Sequence, residues 1–223
     1  MAYTRFAIYY VPPEGPLARF GASWLGWDLV QARKVVQPDL PDLSEVTMTP
    51  RKYGFHATLK PPFRLAEWRT PEELDSAVSA LAGTLAPVTC DGLKLVPLGR
   101  FLALVPRGDQ EQVENLAATC VRTLDPFRAP LDEAELARRR KPGLSSRQEA
   151  LLQQWGYPYV LEQFRFHMTL SGRLPRAELP EWTEILRRHL PPLPTPFHLD
   201  QIALFAERTD GRFQLLQRYK LSG

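Results

Sequence analysis

Two short segments of this chain carry the same four-residue pattern, His56-Ala57-Thr58-Leu59 and His167-Met168-Thr169-Leu170. An imidazole titrates near neutrality and both takes and gives a proton. A facing pair can therefore divide a displacement: one histidine removes a proton from the nucleophile while the other protonates the leaving oxygen. A threonine hydroxyl beside each can hydrogen-bond an oxygen on which charge gathers in the transition state. Attack at phosphorus, with base and acid on opposite sides, suits such a set. On average composition, finding the same x-Thr-Leu tail on two of the four histidines by accident has odds below roughly one in a thousand. The other two, His189 and His198, lack this context and read as structural.

What must position these groups is extended chain. Both motifs lie in alternating runs, Gly54–Lys60 and Gln163–Ser171, and side chains of a strand alternate between faces with period two. By that parity His56, Thr58 and Lys60 share one face, opposite Phe55, Ala57 and Leu59. Arg165, His167, Thr169 and Ser171 share another, opposite Phe164, Phe166, Met168 and Leu170. Each histidine and its threonine stand ~7 Å apart along the strand. Two such strands side by side bring both pairs into one cleft. Lys60 and Arg165 would add positive charge there, and Ser171 a further hydroxyl.

The repetition extends past the motifs. After His56, Thr70 as N-cap, Pro71 at the first helical position and Glu73 closing a capping box mark a helix start. Leu74, Val78, Leu81 and Leu85 continue it at helical spacing. Gly92–Val96 and Phe101–Val105, joined around Pro97-Leu98-Gly99, read as a hairpin. After His167 the order recurs: a helix over Ala177–Leu190, then Asp200–Ala206 and Phe213–Tyr219 around the turn Thr209-Asp210-Gly211. The expected fold is α+β: one bilobal domain over residues 1–223, with two pseudo-symmetric lobes of mainly antiparallel sheet, helices outside and a central cleft.

Around this duplication, Arg5–Val11 alternates as a strand, Leu17–Trp27 reads as a helix, and Gln37–Pro50 is Pro-rich and irregular. Asp109 caps a helix running to about Leu124. An insertion over residues 125–158 holds two short helical pieces, Asp132–Arg140 and Ser145–Trp155. Its basic run, Arg138-Arg139-Arg140-Lys141 before Pro142-Gly143, complements a helix dipole. The sharper alternative is a lid that brings an arginine over the cleft.

With 223 residues, 44% of them apolar, the chain can bury a core unaided. Cys90 and Cys120 have no metal-type spacing and read as reduced and buried. Phosphate loops of the G-x-x-x-x-G-K-[ST] type, dinucleotide fingerprints and nucleophile elbows do not occur in the sequence. The motif faces offer threonine, lysine, serine and arginine rather than carboxylates, so chemistry without metal or other cofactor is expected. A net charge of +3 suits a small anionic substrate and is weak for a nucleic-acid surface. Without an apolar run of membrane length or a basic-then-apolar leader, a cytoplasmic protein that does not engage membranes is expected, with a monomer favoured.

Paired H-x-T-L motifs in duplicated α+β lobes resemble the two-histidine (2H) phosphoesterase superfamily, which includes bacterial RNA 2′,3′-cyclic phosphodiesterases once described as 2′-5′ RNA ligases. The chain is most similar to an uncharacterised subgroup often encoded beside phosphonate-utilisation genes. That likeness runs through Arg5–Tyr10, Tyr53–Lys60, Asp125–Arg128 and Trp155–Tyr159. It implies catalytic roles for His56 and His167, phosphate contacts from Thr58 and Thr169, and a substrate-facing Tyr9. The expected activity is opening of a small cyclic phosphodiester, a ribose or nucleoside cyclic phosphate. An RNA end is the competing substrate, and a non-catalytic RNA-binding module the competing class.

Overall fold

The computed structural model describes residues 3–141 and 143–223; Pro142, which follows the basic run, lies outside them. In chain order the elements begin with β1 (Phe6–Tyr10), α1 (Pro16–Leu25), β2 (Trp27–Asp28), β3 (Arg33–Lys34), α2 (Leu43–Val46) and α3 (Met48–Arg51). The first motif opens β4 (Ala57–Phe63), followed by α4 (Pro71–Thr84), β5 (Val88–Cys90), β6 (Gly92–Leu98), β7 (Phe101–Arg107) and α5 (Glu111–Thr123). The insertion supplies α6 (Glu133–Arg140) and α7 (Ser146–Trp155). The second motif forms β8 (Met168–Thr169), and α8 (Leu179–His189), β9 (Phe197–Leu199), β10 (Gln201–Glu207) and β11 (Phe213–Lys220) complete the chain.

Local chemistry sets the helix starts. Thr70 and Glu73 form the expected capping box, and Asp132–Glu135 and Ser145–Gln148 form two more in the insertion. Left-handed Gly26 and Gly156 close α1 and α7. Both cysteines are free and buried.

Seven strands form one antiparallel sheet in the order β11-β10-β1-β4-β8-β7-β6. The motif strands are therefore central neighbours, with Ala57 facing Met168. The fold is α+β, as the alternation implies, but the lobes are not consecutive in sequence. Hairpin β6–β7 follows the first motif yet pairs with β8. Hairpin β10–β11 follows the second motif yet joins β1 beside β4. Periodicity specifies that a hairpin forms and which face it buries; it does not specify which of two equivalent sheet edges receives it. The linkers cross over as β5 and β9, paired through Val88 and Leu199.

One sheet face carries the main core. Ile8, Ala57, Leu104, Met168 and Leu170 are fully buried there. Helices α4, α5 and α8 lie beneath β10–β11, β4 and β6–β7 respectively. Trp24 of α1 donates its indole N–H to the carbonyl of Leu170 at 2.8 Å, which anchors the second motif strand from below. The opposite face holds a smaller cluster around Tyr9, Trp27, Phe205 and Phe213, and beyond it the cleft.

Candidate active site

Counting outward from the pair Ala57–Met168 places His56 opposite Thr169 and Thr58 opposite His167. The two histidines are thus diagonal neighbours, a backbone spacing of roughly 7–8 Å. Both line one cleft of about 1150 Å³ together with both threonines.

The imidazoles are held alike. His56 Nδ1 donates to the carbonyl of Gly54 at 3.0 Å, and His167 Nδ1 donates to that of Arg165 at 2.7 Å. A carbonyl only accepts, so each ring carries its proton on Nδ1 and presents Nε2 to the cleft. His56 Nε2 accepts from the Thr58 hydroxyl at 3.1 Å. The His56 ring stacks on Tyr9, with ring centroids 3.9 Å apart, and Phe101 lies 5.6 Å from the His167 ring. Gly54 sits at a φ of 70°, and a Cβ there would meet Leu29 at 2.6 Å, so the brace on His56 needs glycine.

Burial lowers both imidazoles. His56 falls to about 4, burial acting against the Gly54 hydrogen bond, and the charge of His167 pushes the same way as burial. His167 is lowered by burial against the hydrogen bond to Arg165. Neutral rings are the resting state at pH 7.

Of the residues that parity assigns to the site, Thr58, Thr169 and Arg165 line the cleft with the histidines, and so does Tyr9, which the resemblance assigns. Arg165 is exposed, 3.8 Å from Glu114. Lys60 is not there. The pairing of β1 with β4 slips between Tyr9–Thr58 and Ile8–Lys60, a bulge that adds one residue to β4. A one-residue slip reverses the faces of everything after it, so Lys60 turns into the helix layer. It is 2% exposed, donates to the Val121 carbonyl at 3.0 Å and lies 3.6 Å from Asp125. Asp125 is itself gripped by Arg128 through bonds of 2.7 and 3.1 Å. Ser171 is likewise spent on backbone: its hydroxyl accepts from Leu102 N and donates to Gly172 O, both at 2.9 Å. It borders a side recess of about 220 Å³ rather than the main cleft.

Burial lowers the Lys60 ammonium from 10.5 to about 8, with Asp125 opposing. Between those values the unfolded chain binds the extra proton, so this group makes stability rise with pH across that window. Replacing Lys60 by Met is expected to leave kcat/KM within about threefold. It should leave stability at pH 7 unchanged or higher by about 1–2 kcal/mol, because a buried charge is exchanged for an apolar group while Asp125 keeps Arg128. Activity assays and thermal melts check both; a hundredfold loss of activity would return Lys60 to the site.

Sequence parity missed the far end of the cleft. Arg5 lies there, bonded to Glu207 at 2.5 and 2.6 Å, and Thr4 bonds the same carboxylate at 2.6 Å. The insertion covers this end: α6 brings Arg138 and Arg139 to the cleft, with Tyr157 and Tyr159 beside them. The basic run ends a helix and supplies two arginines to the lining of the cleft. Its signal was visible only as charge. Among the described residues, no group of three or more His, Cys, Asp or Glu side chains is placed to hold a metal ion, and no helix is long and apolar enough to cross a membrane.

The chain is similar to several known proteins. It is 44% identical over 181 residues to a ribose 1,5-bisphosphate phosphokinase PhnN of Janthinobacterium sp. (strain Marseille), covering 78% of this chain and 40% of that protein. Its identity to the PhnN of Laribacter hongkongensis (strain HLHK9) is 37% over 216 residues, covering 93% and 49%. The chain thus spans less than half the length of these relatives. Among solved structures, Escherichia coli LigT in apo form is similar over 100% of both chains, with 17% identity and a TM-score of 0.48. TT0787 of Thermus thermophilus is similar over 98% of both, with 18% identity and a TM-score of 0.46. A family model matches residues 58–214, from the first motif threonine to the last hairpin, and the chain belongs to that family, the proteins of unknown function called DUF1045.

Proposed function

We propose that this protein is a metal-independent phosphodiesterase that opens a small cyclic phosphodiester of ribose. The observation that carries the reading is the pair of H-x-T segments on adjacent central strands, each histidine braced through Nδ1 and presenting Nε2 to one cleft. His56, lowered to about 4, is neutral and serves as base; His167 serves as acid. Water attacks phosphorus as its proton passes to His56 Nε2. The reacting form carries His167 as imidazolium, protonated on both nitrogens; the bond from phosphorus to one ring oxygen breaks, and that oxygen takes the Nε2 proton, leaving His167 neutral. Thr58, whose one O–H turns from His56 Nε2 to the substrate on binding and so frees that nitrogen, and Thr169 donate to the non-bridging oxygens. The product is a phosphomonoester.

The relatives' name directs the substrate class towards ribose phosphates. A phosphate on C1 of ribose is what remains when a 1,2-cyclic ring opens at O2, so such a ring is the substrate that would feed a ribose 1,5-bisphosphate kinase. The test is a panel of cyclic phosphodiesters, including α-D-ribose 1,2-cyclic phosphate, its 5-phosphate and nucleoside 2′,3′-cyclic phosphates, with products followed by phosphorus NMR. Conversion to a monoester, unaffected by EDTA, is the expected result. Loss on chelation that a divalent ion restores would move the site to metal-assisted hydrolysis. Steeply salt-dependent RNA binding without turnover would favour an RNA-binding module instead.

A further inference from the structure

The cleft is larger than a cyclic phosphate needs, and its charge is concentrated away from the histidines. Five arginines line it, Arg5, Arg64, Arg138, Arg139 and Arg165. Arg5 is committed to Glu207, and Arg64 to Glu135 at 3.0 Å and the Pro130 carbonyl at 2.8 Å. Arg138 is exposed, 3.9 Å from Glu135. Arg139 differs from all of these. Its guanidinium lies 5.1 Å above the Tyr157 ring, half-buried, and among the described residues its Nε is buried without a hydrogen-bond partner. A buried donor left unpaired is unfavourable and is normally matched by something. Arg139 belongs to α6, which the Glu135–Arg64 pair ties to the chain just past the end of β4, eight residues beyond His56. The cleft therefore has two ends, one with the imidazoles and one with a cation positioned but unmatched.

We infer that Arg139, set by Tyr157 under the α6 roof, forms a second phosphate-binding subsite that recognises a phosphomonoester at the far end of the substrate. The inference rests on the phosphodiesterase reading for the near end, where the cyclic ring binds. A planar guanidinium stacked on an aromatic ring offers a fixed fork to phosphate oxygens. On a ribose whose C1 and C2 carry the ring, the group that reaches the other end is the C5 phosphate. Specificity for a doubly phosphorylated ribose follows, because the sugar that lacks the second group leaves the guanidinium without an anion.

Two measurements test this, and they fail separately. The first compares kcat/KM of wild type and Arg139→Ala on α-D-ribose 1,2-cyclic phosphate with and without the 5-phosphate. The variant is expected to lose about 10- to 100-fold on the phosphorylated substrate, chiefly in KM, the worth of a hydrogen bond to a charged group. Its loss on the other substrate should be at least tenfold smaller. Arg139→Lys should recover part of the loss, and Arg138→Ala should lose less than Arg139→Ala. The second measures binding of D-ribose 5-phosphate by calorimetry, which needs no turnover. Binding that weakens about 10-fold or more in Arg139→Ala supports the subsite even if neither ring is opened, an outcome that would sink the near-end reading alone. Equal binding to both proteins, or equal losses on both substrates, overturns the subsite. Thermal melts confirm that each variant is folded.

Discussion

Replacing His56 or His167 by Ala is expected to lower kcat/KM by roughly 10²–10⁴-fold each, and the double variant should lose little more than the worse single one. Both protons move in one displacement, so once either histidine is gone the other has nothing to cooperate with. The pH profile separates their roles. The base must be neutral, and His56 lies at about 4 in the free protein; the acid must be protonated, and His167 lies below its usual 6.5. The profile of kcat/KM should therefore be bell-shaped, with an optimum between about 4 and 6.5, its limbs belonging to the coupled pair. A bound phosphodiester anion favours the imidazolium form, so the kcat profile should lie at higher pH. Stability follows the same linkage. His56 sits well below its unfolded value, so the unfolded chain binds more protons between about pH 4 and 6.5, and stability falls as pH drops through that window, by roughly 3 kcal/mol at most from this group. His56→Ala should flatten that part of the curve. A His167→Ala protein that keeps full turnover on its best substrate would end the two-histidine mechanism and leave the repeat a feature of the fold.

The site was legible in sequence where a rule of local geometry applied without interruption. Alternation places His56 with Thr58 and His167 with Thr169 on cleft-facing positions, and the buried partners Ala57, Met168 and Leu170 show that it holds across both motifs. The same rule fails four residues after His56. The bulge before Lys60 is a property of pairing with β1, and no residue of β4 announces it. Ser171 is lost differently: its parity is kept, but a neighbouring backbone N–H claims its oxygen. The helices were readable because caps are local; the exchange of the two hairpins was not, because each edge of the central strand pair offers an apolar face of the same kind. Arg5 and Arg139 are 134 residues apart in the numbering, and only the fold brings both to the lining of one cleft. Charge in a sequence shows that cations exist, and only the fold shows which of them lack a partner.

The two threonines should prove unequal although the motifs are alike. Thr58→Ala and Thr169→Ala are each expected to lower kcat by about tenfold to a hundredfold, since each removes one neutral donor from the charged phosphorane and the contact strengthens in the transition state. Thr58 has a second task. Its hydroxyl donates to Nε2 of His56 at 3.1 Å, and a hydrogen bond donated to a neutral imidazole favours the neutral form. Without it, His56 holds a proton more readily, and the acid limb of kcat/KM moves to higher pH. Thr169 faces His56 across the strand pair, with the imidazole already satisfied from its own strand, so its loss should reduce the rate and leave the limb in place. Replacement by Ser keeps the hydroxyl and should restore most activity at either position. Steady-state kinetics of the four variants from about pH 4 to 8 read both effects. Equal limb shifts in Thr58→Ala and Thr169→Ala would show that the hydrogen bond to Nε2 does not set the base, and losses confined to KM would make both threonines binding groups that the transition state does not use.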